Sequence, residues 1–276
     1  MTQAPTPMRA LVAIACLLGT ACSEDPPSVA GPGLEAPDLP PATRAGLERA
    51  IQMQLDVFRK APGRTGILAE EPRYSRFAEE VLIRHFFQDR EGGFFLDVGC
   101  AWPIRSNNTY YLEHHLGWAG IGVDALPDYA GGWAADRPRS KFFQFLVTDH
   151  TSPEARFYRS PGLGLSSADP DMASGRMFGP PMETVEISIP STTLDDLLDR
   201  EGVTKVDLVS MDIEGHEAKA LAGFDVERFR PDLLVVEGRR EEVKALLEER
   251  GYKQIEAYTA FDRVNRYFRR ADPEPD

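Results

Sequence analysis

The sequence predicts an α/β domain in which helices cover a mostly parallel sheet, with further helices added at the amino-terminal side. Three observations lead to it. Short apolar runs alternate with helix-patterned stretches between residues 92 and 270, the arrangement that buries a sheet between layers of helix. The central runs FFLDVGC, VDLVSMD and DLLVVEG are apolar at successive positions, as strands covered on both faces are. The chain closes on YKQIEAYTA and RVNRYFRR, which read as a final pair of strands.

In order along the chain, Leu47, Ile51, Leu55 and Phe58 recur at intervals of three and four between Ala42 and Lys60, the period of an amphipathic helix. After the breaker-rich APGRTG, the stretch YSRFAEEVLIRHFFQ repeats that period through Tyr74, Phe77, Val81 and Phe86 and stops before a glycine pair. Residues 42–91 therefore read as a helical cap, and FFLDVGC as the first strand. YYLEHHLGW follows as helix, then AGIGVDA, FFQFLVTD, ARFYRS and VEISIP as strands. TTLDDLLDREG, EAKALAG and REEVKALLEERG are helices separated by VDLVSMD and DLLVVEG. The segment RSPGLGLSSADPDMASGRMFGPPMETVE is long and rich in Gly, Ser and Met, which suits a lid over a bound acceptor.

Composition excludes several classes. No internal repeat marks an array, and 276 residues suit one sizeable domain. With 44 acidic residues against 31 basic ones the formal charge is −13, and without a basic cluster such a chain repels nucleic acid. Three cysteines, two of them in the first hydrophobic segment, cannot build a disulfide framework, and no CxxC or HxxxH spacing suggests structural zinc. The segment MRALVAIACLLGTAC has the layout of a secretory signal and is too short to span a bilayer. LLGTAC resembles a lipoprotein box, with Gly19 where leucine is usual. Residues 1–22 thus read as a signal that leaves a lipidated Cys22 as membrane anchor. Residues 23–41 follow as a disordered Pro-rich tether, and 271–276 as a disordered tail. This predicts an exported lipoprotein facing the periplasm or cell exterior. An ordinary cleaved signal is the alternative, and so is a misassigned start, which would leave the protein cytoplasmic.

Three blocks of the α/β region carry a resemblance. Residues 97–113 read DVGCAWPIRSNNTYYLE, residues 117–127 read GWAGIGVDALP, and residues 206–217 read VDLVSMDIEGHE. They resemble, in order and spacing, the DVGAxDGxxxSNTxxLE, GWxGxxxEPxP and IDLLSLDVEGxE blocks of the FkbM-type methyltransferases. The likeness covers roughly residues 74–268. It implies a Rossmann-like class I methyltransferase fold, with a mostly parallel seven-stranded sheet closed by a C-terminal antiparallel hairpin, and S-adenosylmethionine as cofactor. Ligands of such sheets bind beyond the carboxyl ends of the strands.

The resemblance assigns cofactor contacts to Asp97, Gly99, Cys100, Asn107, Thr109, Asp124, Ala125, Thr148 and Asp149. Gly99 permits a tight turn and close backbone approach, and Asp97 can meet the cofactor's ammonium. Asp124, closing the second strand, can accept two ribose hydroxyls, and Asp149 is positioned for the adenine amino group. Cys100 is a small, soft side chain suited to packing. Trp102 and Pro103 stand where the family has an acid and its second loop glycine. Because proline fixes φ and lacks an amide donor, that loop is expected to take another path if the glycine's φ is positive.

At the reacting end, Asp212, Glu214 and His216 follow the strand VDLVSM and supply bases for a hydroxyl acceptor, with Gly215 allowing the turn. Glu237 ends the neighbouring strand, so that Asp212, Glu214 and Glu237 also form a set able to hold a divalent cation. The reading is methyl transfer to a hydroxyl of a small molecule or glycan. The alternative is a non-catalytic binding lipoprotein that kept the fold, suggested by Trp102-Pro103 and by export away from the cytoplasmic cofactor pool. The loop lacks the GxGxxG spacing of a dinucleotide-dependent oxidoreductase.

Overall fold

The computed structural model describes residues 52–53, 56–161, 164–176, 179–238 and 241–271. The signal segment, the tether, residues 42–51 of the first expected helix and the tail after Ala271 lie outside those residues. In the structure, β1 (Phe94–Val98) lies inside a seven-stranded sheet, with β2 (Ala119–Asp124) parallel on one side and β7 (Leu208–Met211), the middle strand, parallel on the other. β3 (Ser140–Gln144) extends the sheet beyond β2, and β8 (Leu233–Glu237) beyond β7. β10 (Asn265–Arg270) runs antiparallel between β8 and β9 (Tyr252–Gln254), the expected closing pair. The order β3-β2-β1-β7-β8-β10-β9 reverses direction between β1 and β7. Ligand crevices of open α/β sheets form at such a switch point.

The strands are apolar throughout because consecutive side chains enter two different cores. Leu96, Val98, Val209, Met211, Leu234 and Val236 face one side, where α5 (Leu194–Arg200), α6 (Glu217–Ala222) and α8 (Glu241–Glu249) cover them. Phe95, Leu208, Leu233 and Val235 face the other, under α1 (Glu79–Phe87), α2 (Tyr110–Leu116) and α3 (Ala130–Asp136). α1 contributes Val81, Leu82 and Ile83 to this second core, so it is one of the helices that cover the sheet. It begins at Glu79, five residues later than its periodicity predicts. The preceding segment is wrapped onto two carboxylates instead: Glu80 Oε2 accepts the Arg73 and Tyr74 amides at 3.1 and 2.8 Å, and Glu79 Oε2 accepts that of Phe77 at 2.7 Å.

The stretch FFQFLVTD, expected as one strand, divides. β3 stops at Gln144, and β4 (Leu146–Val147) joins a second sheet of order β4-β6-β5, made with β5 (Ser152–Arg159) and β6 (Val185–Thr192). The division follows side-chain destination. Phe145 still packs on the main core, whereas Leu146 joins Ala125, Leu126, Phe157 and Ile189 in a separate apolar cluster. The expected lid segment, carrying α4 (Pro170–Ala173), lies between β5 and β6. No helix among the described residues is long and apolar enough to cross a membrane.

Candidate active site

The turn after β1 is built around one close approach. Gly99 has φ +76°, and a Cβ placed on it would stand 1.8 Å from the carbonyl oxygen of Asp212. Its amide donates to Val123 O at 2.8 Å, while the Asp212 amide donates to Val98 O at 2.9 Å. Three strand ends are thereby stitched together at the switch point, and only glycine fits there. Cys100 next to it is 3% exposed and packs in the second core. Burial pushes its thiol well above the usual range, as suits packing rather than nucleophilic chemistry.

Asp97 is 5% exposed. Its Oδ2 accepts Thr109 Oγ1 at 2.7 Å and Asn107 Nδ2 at 3.1 Å. Burial, opposed by the Thr109 hydrogen bond and the Arg137 charge, lifts its carboxyl to about 6. Asn107 also donates to Cys100 O at 3.2 Å and accepts the amides of Thr109 and Tyr110 at 3.0 and 2.8 Å, satisfying donors at the start of α2. Among the described residues nothing donates to Asp97 Oδ1, which leaves one acceptor for a cationic group.

Trp102 and Pro103 do not break this turn. The left-handed residues of the loop are Gly99, Ala101 (φ +42°) and Ser106 (φ +52°), not position 103, so proline's φ is compatible with the path. Trp102 meets the Tyr129 ring at 5.1 Å, and Pro103 O accepts Arg137 Nη1 at 3.0 Å. At the end of β2, Asp124 Oδ2 accepts the Ala101 amide at 3.1 Å and Oδ1 that of Leu126 at 2.9 Å. Burial lifts this carboxyl too to about 6. Each oxygen keeps a further lone pair for a hydroxyl donor. Ala125 is buried beside it.

Thr148 and Asp149 sit on the second sheet, beyond β4, and not at the end of main-sheet strand β3. Thr148 is buried and its amide donates to Thr192 O at 3.1 Å. Asp149 is exposed, and its hydrogen bond with His150, 2.7 Å long, holds its carboxyl below the usual range. Beyond β7, the side-chain oxygens of Asp212, Glu214 and Glu237 lie within 4.8 Å of one another, a donor set suited to a hard divalent cation or to proton sharing. Asp212's charge, with burial second, pushes the Glu237 carboxyl well above the usual range, and burial does the same to Glu214. Glu214 is left-handed at φ +53°, and Ser167 Oγ from the lid segment donates to its carbonyl at 2.9 Å. His216 turns away from this cluster: its Nε2 lies 3.0 Å from Thr148 Oγ1, and burial lowers its affinity for a proton. The structure thus joins Asp212 and Glu214 with Glu237, and places His216 with Thr148. Sequence reasoning missed Arg137, Glu113 and Ser167: Glu113 closes the first block but was given no role, and the partners of all three are remote in the chain.

A mostly parallel sheet that reverses order at β1 and β7, a glycine turn at that point and an acid ending β2 define a Rossmann-like domain of the class I methyltransferase type. The Methyltransferase FkbM domain matches residues 97–272, well over half of the chain, and the chain belongs to that family. It is a methyltransferase that uses S-adenosylmethionine. Among solved structures it is similar to a TehB-like SAM-dependent methyltransferase from Corynebacterium glutamicum, at 14% identity and a TM-score of 0.42, over 84% of this chain and 100% of that one. It is also similar to the precorrin-6y C5,15-methyltransferase of Geobacter metallireducens, at 9% identity and 0.38, over 68% and 84%. A third is the CurJ carbon methyltransferase, at 11% and 0.40, over 87% and 73%. No curated protein sequence matches the chain.

Proposed function

We propose that the protein methylates a hydroxyl of a small molecule, such as a sugar or other glycan component, and that the carboxylates ending β7 and β8 receive the hydroxyl proton. The observation that carries this reading is the convergence of Asp212, Glu214 and Glu237 within 4.8 Å, with the Asp212 carbonyl against the Gly99 turn. Asp97 Oδ1 is the acceptor for an ammonium and Asp124 the acceptor for ribose hydroxyls, so the residues present fit the cofactor. S-adenosylmethionine supplies a methyl group on a positively charged sulfur. Asp212 would accept the proton that the acceptor hydroxyl gives up on methylation. Asp212's charge raises Glu237's hold on a proton, and the hydrogen bond from Glu237 lowers that of Asp212 against burial, so Glu237 is the partner that would carry a shared proton. The segment between β5 and β6 is tied to the same turn through the hydrogen bond from Ser167 to the Glu214 carbonyl, which supports its reading as a lid.

The test is methyl transfer from labelled S-adenosylmethionine to a panel of hydroxylated acceptors. Label recovered in ether linkage supports the reading; label recovered only on nitrogen or carbon overturns it, as does failure of both S-adenosylmethionine and S-adenosylhomocysteine to bind in titration calorimetry. Repeating the assay with chelator and with added magnesium separates proton sharing from cation binding at the same three carboxylates. We also propose that the chain is exported and anchored through a lipidated Cys22. Incorporation of a palmitate analogue, lost in Cys22→Ala, is the expected result.

A further inference from the structure

Resting on the reading of residues 97–109 as the cofactor loop, we infer that Arg137 is the positioning residue for the amino-acid end of the cofactor site, acting through Thr109 on Asp97. Arg137 follows α3 and is 1% exposed. Its Nε donates to Glu113 Oε2 at 2.6 Å, Nη1 to Pro103 O at 3.0 Å and Asn107 Oδ1 at 3.1 Å, and Nη2 to Thr109 Oγ1 at 2.9 Å. A guanidinium presents its donors in a rigid planar fork, so one side chain sets three points of the loop at once.

The fork is itself held by groups outside the loop. The Trp133 ring lies 4.1 Å from the guanidinium carbon, and Glu113 accepts the Arg139 amide at 2.7 Å and Ser140 Oγ at 2.5 Å. The consequence lies in the Thr109 hydroxyl, which has one proton to donate. Arg137 occupies one of its lone pairs, and of the two acceptors its proton faces, the Asp97 carboxylate Oδ2 at 2.7 Å is nearer and more basic than Asn107 Oδ1 at 3.1 Å. With Asn107 also on Oδ2, the Asp97 carboxylate is oriented with Oδ1 open, where an ammonium would bind. The nucleoside end is served separately, because Asp124 is held by the Ala101 and Leu126 amides and not by Arg137. Pro103 lacks the donor a glycine would offer; Arg137 secures that point of the loop through the carbonyl instead.

Separate control of the two ends has a signature. Calorimetric titration of the full chain compares S-adenosylhomocysteine, which carries the amino-acid end, with 5′-methylthioadenosine, which lacks it. Arg137→Lys keeps the charge and loses the fork; the expected result is a loss of about ten-fold or more in affinity for S-adenosylhomocysteine, with 5′-methylthioadenosine changed by less than about two-fold. Thr109→Val leaves the guanidinium in place but cuts the relay, so it gives the same selective loss, and Thr109→Ser restores binding; this pair decides the matter if Arg137→Lys fails to fold. Equal losses for both ligands, or no loss for either, overturn the inference and leave the cofactor reading standing. Failure of the unaltered protein to bind either ligand overturns both.

Discussion

Asp97 lies one residue before the end of β1 and Asp124 ends the adjacent β2, and burial lifts both carboxyls from 3.8 to about 6. Folded chains therefore hold these protons more tightly than unfolded ones. The stability they contribute is full below 3.8 and is lost as the pH rises through about 6. An ammonium ligand needs the opposite state, an ionised Asp97. Affinity for S-adenosylhomocysteine is expected to rise about ten-fold between roughly pH 5 and 7, while the contribution of these two groups to the stability of the free protein falls. Calorimetry and thermal melts across that range check both, and Asp97→Asn flattens the binding profile. Gly99 answers to a different constraint. Because a Cβ there meets the Asp212 carbonyl at 1.8 Å, Gly99→Ala is expected to cost about 1–3 kcal/mol or more in urea unfolding and to abolish cofactor binding. Asp97, Gly99 and Asp124 were legible as strand-end residues. The oxygen that makes Gly99 obligatory comes from a residue in another block, and nothing local announces it.

The start of α1 and the closing hairpin meet through a buried polar clip. Asp262 Oδ2 accepts Tyr267 OH at 2.7 Å and Asn265 Nδ2 at 2.9 Å, and the same Asn265 nitrogen donates to Glu79 Oε1 at 3.1 Å. Burial first, and Asp262's charge second, raise the Glu79 carboxyl from 4.5 to about 8. The stability this group contributes is full below 4.5 and is lost as the pH rises through about 8. The protection factors of β10 amides, which are free of the intrinsic pH dependence of exchange, are expected to fall across that range, and Glu79→Gln, which carries no charge, is expected to remove that fall. In the lid segment, Ser167→Ala deletes the hydrogen bond to Glu214 O, which costs about 1 kcal/mol; faster exchange across residues 164–176 is the readout. Element types were legible wherever one period ran long enough to be seen. The late start of α1 and the departure of β4 were not, because carboxylates accepting backbone amides and a change of apolar destination override the period.

At the scale of the molecule, the stretch before β1 is part of the fold and not an accessory to it. Val81, Leu82 and Ile83 are fully buried, and α1 closes one face of the sheet over Phe95 and Leu208. Leu82→Ala is expected to destabilise the whole protein by about 2–5 kcal/mol, read from the urea midpoint. A chain beginning at Glu91 is expected to fail to fold, as loss of cooperative unfolding would show. By itself the sequence determined the alternation of strand and helix, the two-sided burial of the central strands, the closing hairpin and the acids at strand ends. These follow from composition and period, which act over a few residues. Only the tertiary structure decided that β4 belongs to a second sheet, that proline suits position 103, that His216 faces Thr148 while Glu237 joins Asp212, and that Arg137 holds the loop. Those contacts join side chains from separate elements, where burial and hydrogen-bond geometry choose the partner and local pattern carries no record of the choice.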